Sequence, residues 1–253
     1  MEVTGKTIWI TGASSGIGRD LALQLGSQHN RIILSARNED ALRKVADTIN
    51  RSGSEAIVFP IDFSDADQAG QNAAEFAAKD GGIQMAIHAA GISQKAPVRE
   101  NLFDVYRTVM EINYFGLIAV VKAVLPGMLK TRSGSIVAVS SLAGKIGSKN
   151  RSGYSGSKFA VCGFMDCLRA VCPGYVKTHI AQNALDSSGS RRGKSTPQID
   201  SGMPPNECAH RIITAIQKRK DEVVIARGSQ AWGPVFGRLF PSLLRKVVAG
   251  REM

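Results

Sequence analysis

Short apolar runs rich in β-branched residues recur along the chain, at 7–11, 31–36, 56–61, 84–90, 135–140 and 222–226. Between them lie longer stretches with apolar residues at three- and four-residue steps, at 17–28, 39–51, 67–79, 106–130 and 154–170. The first pattern predicts strands and the second amphipathic helices. Strands that are apolar throughout and separated by helices indicate a parallel sheet covered on both faces, so the predicted fold class is α/β, doubly wound. No internal repeat or linker breaks the alternation, and 1–253 reads as a single domain. Only 182–205 has loop composition, rich in Ser and Gly and carrying Arg191, Arg192 and Lys194. Its place after the last motif predicts a substrate lid.

Composition narrows the class. The 253 residues are 43% hydrophobic and 21% charged, which excludes a disordered chain, a collagen-like repeat and a disulfide scaffold. Cys162, Cys167, Cys172 and Cys208 show no metal-ligand spacing, so reduced thiols and no metal site are expected. Charges or Pro interrupt every apolar run before the roughly eighteen residues of a spanning helix. The apolar stretch at 7–11 is too short for a signal core, and the expected location is the cytoplasm. The net charge of +11 is uneven: residues 1–100 carry 10 basic and 12 acidic side chains, and residues 101–253 carry 22 and 9. A net of +13 in the second part suggests an anionic substrate, an acidic partner or an anionic membrane surface. Nucleic acid is not expected, because no recognised motif and no basic run interleaved with aromatics is present.

The segment Thr11-Gly12-Ala13-Ser14-Ser15-Gly16-Ile17-Gly18 lies between the first predicted strand and the first predicted helix. Glycines there permit a tight turn and close backbone approach to a pyrophosphate, which rests on the helix N-terminus. Further along, Tyr154 and Lys158 are four apart at the start of a predicted helix and share one face. A neighbouring ammonium should lower the phenol's pKa from its usual value near 10. The second strand ends Leu34-Ser35-Ala36-Arg37, with no carboxylate to repel a 2′-phosphate and a guanidinium fork suited to one.

These motifs occur in an order that resembles the short-chain dehydrogenase/reductase family: 11–18, Asp62, Ala89-Ala90-Gly91, Asn113, Ser140-Ser141, Tyr154-Ser155-Gly156-Ser157-Lys158, and Pro173-Gly174-Tyr175-Val176-Lys177-Thr178. The resemblance runs from end to end, is closest to the member 7B-like branch, and implies a Rossmann-type sheet. It implies an oxidoreductase that reduces a carbonyl to an alcohol, or the reverse, on a lipophilic substrate. Tyr154 would be the general acid/base, Ser141 would bind the same substrate oxygen, Lys158 would hold the nicotinamide ribose and Asn113 a water behind it. Cofactor contacts would come from Gly12, Ser14, Ser15, Gly16, Ile17, Gly18, Arg37, Asp62, Ala90, Gly91, Tyr154, Lys158, Pro173, Gly174, Val176 and Thr178. NADP(H) is favoured over NAD(H), and a homo-oligomer, dimer or tetramer, is implied. Ser140 competes for the serine role; Ser141 is preferred for its family-like distance to Tyr154. His88 reads as a buried strand residue, and His179 as structural.

One stretch departs from the family. A turn and a whole strand normally separate the arginine of Asp166-Cys167-Leu168-Arg169 from the proline of Pro173-Gly174, yet between Ala170 and Pro173 only Val171 and Cys172 remain. A strand with its connection needs on the order of ten residues, so the sixth strand is expected to be missing, or rebuilt by unwinding the end of the 154–170 helix or by sliding the last strand inward. Its loss leaves a second reading, a cofactor-binding protein without turnover. A third comes from the C-terminal segment 231–253, where Trp232, Val235, Phe236, Leu239, Phe240, Leu243 and Val247 form a stripe edged by Arg238, Arg245, Lys246 and Arg251. That stripe suits packing on its own domain, a subunit interface or peripheral membrane contact.

Overall fold

The computed structural model describes residues 2–80, 82–166, 170–220, 222–228 and 231–232. The stripe of 231–253 therefore lies almost wholly outside the described residues. Among the described residues, seven strands form one parallel sheet: β1 (Thr7–Thr11), β2 (Arg31–Ser35), β3 (Glu55–Val58), β4 (Met85–His88), β5 (Ser135–Val139), β6 (Ala170–Pro173) and β7 (Glu222–Ile225), in the order β3-β2-β1-β4-β5-β6-β7. The helices are α1 (Gly16–Gly26), α2 (Glu39–Arg51), α3 (Ala66–Asp80), α4 (Phe103–Met110), α5 (Gly116–Thr131), α6 (Ser152–Asp166), α7 (Pro197–Asp200) and α8 (Pro205–Gln217).

Alternation along β1 shows how one strand feeds two cores. Ile8 and Ile10 pack with Leu21, Leu25, Leu42 and Ile212 on the face covered by α1, α2 and α8. Trp9 packs with Ile33, Ala73, Val120 and Val124 on the face covered by α3 and α5. Both sides of the strand are buried, which is why its residues are apolar without interruption. β1 and β4 are neighbours, but the chain leaves β1 toward β2 on one side and leaves β4 toward β5 on the other. The carboxyl ends of this strand pair form the switch point where an open α/β sheet leaves a crevice.

One sequence expectation is met in its second form and one needs correction. The sixth strand is rebuilt rather than missing: α6 is described to Asp166, and Ala170–Pro173 enter the sheet between β5 and β7. Ala170, the last residue of the expected 154–170 helix, is thus in the strand. Among the described residues β6 pairs with β7 at four positions and with β5 at two, Ala138↔Ala170 and Val139↔Val171. Unpaired strand edges at β5 and β7 would leave buried backbone groups unsatisfied, and that cost outweighs local helical preference. The correction concerns length. α4, a wide π turn at Glu111–Phe115 and α5 join into one helix over Phe103–Thr131, long and apolar enough by length and composition to cross a membrane, where no such segment was expected. It packs in the fold as a core helix, with Leu117, Val120, Val121 and Val124 buried.

Candidate active site

The turn after β1 is built around two positions where no side chain fits. Gly12 has φ +70°, and a Cβ there would lie 2.7 Å from the Ala90 nitrogen at the exit of β4. A Cβ on Gly18 would lie 2.3 Å from the Gly12 carbonyl oxygen. The turn is thereby pressed against both the start of α1 and the end of β4. Ser15 caps α1 in an extended conformation without a side-chain cap hydrogen bond, and the first turn holds no acidic residue. The helix N-terminus therefore offers amide donors and a positive dipole end to an anion.

These groups open on a cleft of about 870 Å³. Every predicted cofactor residue lines it: Gly12, Ser14, Ser15, Gly16, Ile17, Gly18, Arg37, Asp62, Ala90, Gly91, Tyr154, Lys158, Pro173, Gly174, Val176 and Thr178. Arg37 is exposed at its edge and makes no ion pair among the described residues. Asp62 accepts a hydrogen bond from the Ser64 amide at 2.9 Å. A glycine-framed cradle at a helix N-terminus, continuous with a slot toward Tyr154, fits a dinucleotide.

At the other end the polar side chains converge. Ser141 lines the cleft with Tyr154 and accepts from the Ala143 amide at 3.1 Å. Ser140 also lines the cleft, and its hydroxyl donates to the Lys158 carbonyl at 3.1 Å beside Cys162. The Lys158 ammonium donates to the Val139 carbonyl at 3.1 Å and sits 6.0 Å from the Tyr154 ring centroid. Asn113 is in the π turn, outside the cleft wall; its amide donates to the Ile92 carbonyl and Ser157 hydroxyl, both at 2.9 Å, and accepts from the Ile92 amide at 2.8 Å. π turns recur at functional sites because they shift a side chain out of helical register. Here the shift aims Asn113 at the β4 exit loop, with Gly91 between it and Lys158.

The charge picture around Tyr154 differs from the expected one. The phenol is almost fully buried, and that burial raises its pKa above the usual value. Opposing this are the Ser141 hydrogen bond and the charge of Arg151, whose guanidinium carbon lies 5.9 Å from the ring centroid. Lys158 is not the dominant influence. Burial keeps the phenol protonated but makes it a weaker acid, so proton donation depends on nearby positive charge to stabilise the phenolate.

His88 is a buried strand residue, as the sequence suggests. Its Nδ1 meets the Thr11 hydroxyl at 2.9 Å, the same oxygen that accepts from the Ala90 amide. Burial, then the Lys158 charge, push its pKa down to about 3. The folded protein keeps this ring neutral while the unfolded chain binds a proton below about pH 6.5, so its stabilising contribution is complete above that pH and shrinks on acidification. A His88→Asn variant should therefore lose a slope of about 1.4 kcal/mol per pH unit in unfolding free energy between about pH 4 and 6. Denaturant titrations across that window check this; an unchanged slope refutes the assignment.

Sequence reasoning missed Arg151, although its position three residues before Tyr154 carries the signal. It also missed the apolar lining residues Leu102, Val105, Ile112, Tyr175, Ile180 and Leu185, because these come from two stretches some sixty positions apart in the chain. His179, expected to be structural, lines the cleft.

Comparison with known proteins agrees with this geometry. Residues 6–188 match the short chain dehydrogenase family model. Dehydrogenase/reductase SDR family member 7B of Mus musculus is 34% identical over 257 residues, covering 96% of this chain and 80% of that protein. A short-chain dehydrogenase/reductase of Burkholderia phymatum in complex with NAD superposes with a TM-score of 0.81 at 23% identity, covering 100% of this chain and 97% of that one. A short chain dehydrogenase of Burkholderia cenocepacia in complex with NADP also gives 0.81, at 21% identity, covering 99% and 100%. A match of this extent places the chain in the short-chain dehydrogenase/reductase family, the NAD(P)-dependent oxidoreductases.

Proposed function

We propose that the protein is an NADPH-preferring reductase that converts a lipophilic carbonyl compound to its alcohol, and catalyses the reverse. The observation that carries this is the buried Tyr154 phenol, which shares with Ser141 the cleft that the glycine cradle opens on. When bound, the nicotinamide supplies or accepts the hydride. Ser141 would donate to the substrate oxygen while Tyr154 passes it a proton, leaving a phenolate stabilised by the charges of Arg151 and Lys158. Lys158 would bind the ribose hydroxyls from its perch on Val139, and Asn113 would anchor the β4 exit loop behind it. Leu102, Val105, Ile180 and Leu185 would exclude water from the substrate's apolar part.

The chain is taken to work as one domain, with 182–205 as a lid; Leu185, Ser188, Gly189 and Arg191 from that segment line the cleft. The alternative of a protein without turnover rested on a missing sixth strand, and β6 occupies that place.

NADPH preference is assigned to Arg37, which lies beyond the end of β2 where no carboxylate stands. A thermal melt with NADPH or NADH tests it. At a hundred times its dissociation constant, a ligand of the folded state adds about 2.7 kcal/mol, which is roughly 5–10 °C for a chain this size. NADPH should reach that shift at lower concentration than NADH. Arg37→Glu should reduce the preference by about 10–100-fold, the value of a charge-assisted hydrogen bond. No shift with either nucleotide would remove the function; an equal response of wild type to both would remove the preference.

A further inference from the structure

The helix that carries Tyr154 begins without a cap of its own. Arg151, which precedes α6, offers no side-chain acceptor to the amides of the first turn. A residue 59 positions away fills that role: Gln94, in the loop after β4, accepts from the Gly153 amide through Oε1 at 3.1 Å. Its Nε2 donates to the Ala96 carbonyl at 3.2 Å and to the Asn150 carbonyl at 3.4 Å. Gln94 is fully buried, and both polar atoms of its side chain are engaged. A buried amide is costly unless so bonded, and once bonded it fixes a geometry that an apolar side chain would leave loose. From α4, the Tyr106 hydroxyl meets the Ser152 hydroxyl at 2.9 Å, and a Cβ on Gly153 would stand 3.2 Å from the Tyr106 ring. Asn150 leads into the helix from the left-handed region at φ +60°, and its carbonyl also accepts from the Ala96 amide at 2.9 Å.

Ser152 and Gly153 are thus gripped by two other segments immediately before Tyr154. The loop after β4 reaches the substrate end of the cleft as well, because Gln94 bridges to Leu185, which lines it. The cofactor cradle at 12–18 is built by different elements, β1 and α1. We propose that Gln94 and Tyr106 are positioning residues, which clamp the first turn of α6 and so set where the Tyr154 hydroxyl stands against a substrate carbonyl. The inference rests on the reductase reading, in which Tyr154 passes the proton. Proton transfer tolerates little displacement: a misplacement of about 1 Å can cost on the order of 10²-fold in rate. Releasing the clamp therefore slows the chemistry and leaves the nucleotide's own site in place.

Gln94→Met keeps the side-chain length and removes all three hydrogen bonds. Its kcat should fall about 10–100-fold, measured with NADPH and decanal, acetophenone or cyclohexanone, whichever the wild type reduces fastest. NADPH affinity, followed by nucleotide fluorescence, should stay within about twofold. Tyr106→Phe keeps the ring and should cost about three- to tenfold in kcat, the value of one neutral hydrogen bond. A clamp that works through the phenol has nothing to position once the phenol is gone. In a Tyr154→Phe background the further loss from Gln94→Met should therefore shrink to less than about threefold. A loss that persists in that background overturns the clamp, because a merely structural glutamine would slow both backgrounds alike. So does a loss of NADPH affinity in step with kcat, or a kcat within about twofold of wild type in both single variants. If Gln94→Met does not fold, Tyr106→Phe decides by the same comparison. A wild type that reduces none of the three carbonyl compounds would strike the reductase reading instead, and amide exchange then decides the clamp. Gly153 should exchange at least about tenfold faster in Gln94→Met, and an unchanged rate overturns it.

Discussion

Tyr154→Phe is expected to lower turnover of any carbonyl substrate by about 10²–10⁴-fold, the usual contribution of a positioned general acid. The ring is packed in the fold at 6% exposure, and phenylalanine keeps that packing while removing one oxygen. Ser141 still lines the cleft and keeps the Ala143 amide. Cofactor affinity, followed by NADPH fluorescence, should change little, because the glycine turn, Arg37 and Lys158 are untouched. The two readouts separate a chemical defect from a binding one. A variant that oxidises NADPH at the wild-type rate with a ketone would show that the proton comes from elsewhere.

The second large effect concerns the turn below the cradle. Gly18→Ala places a methyl group 2.3 Å from the Gly12 carbonyl oxygen and 2.7 Å from its carbon, both backbone atoms that no side-chain rotation can clear. Relief requires α1 to move away from the turn, which separates Leu21 and Leu25 from the sheet. The cost should be about 3 kcal/mol, at the upper end for overpacking, with a fall in Tm of roughly 6–12 °C. NADPH protection against heat should weaken at the same time, since the displaced amides are those of the anion site. Circular dichroism melts with and without NADPH measure both effects. A variant within one degree of wild type would show that the turn is more yielding than its geometry implies.

Much of this arrangement is legible in the chain. Alternation of apolar runs and amphipathic stretches marks six of the seven strands, because parallel strands buried on both faces cannot hide polar residues. The glycines at 12 and 18 are legible for a similar reason: each answers a steric demand that no other residue meets. β6 was not legible. Val171 and Cys172 suit a strand, but Ala170 continues a helical periodicity, and only the vacancy between β5 and β7 decides against the helix. Local preference is worth a few tenths of a kcal/mol per residue, and tertiary pairing overrides it. The tyrosine's electrostatics were misread for a related reason. Sequence spacing brings Lys158 to the same helix face but says nothing of burial, which dominates the phenol here, or of Arg151 on the preceding loop. The apolar end of the cleft depends on contacts among distant segments and has no local signature.

The economy of the sixth strand has a mechanical consequence. Asp166 of α6 and Ala170 of β6 are four positions apart in the chain, so they lie within about 14 Å of each other. The helix that bears Tyr154 and Lys158 is thus leashed to the strand that delivers Pro173 and Gly174 to the cleft. Neither can shift by a helical turn without dragging the other. With two residue pairs joining β6 to β5 among the described residues, the strand and the end of α6 should detach and reseat together, as one cooperative unit. In hydrogen–deuterium exchange, amides 163–166 and 171–172 should then share one opening free energy, below that of β1. Amides that exchanged independently would mean that the leash is slack.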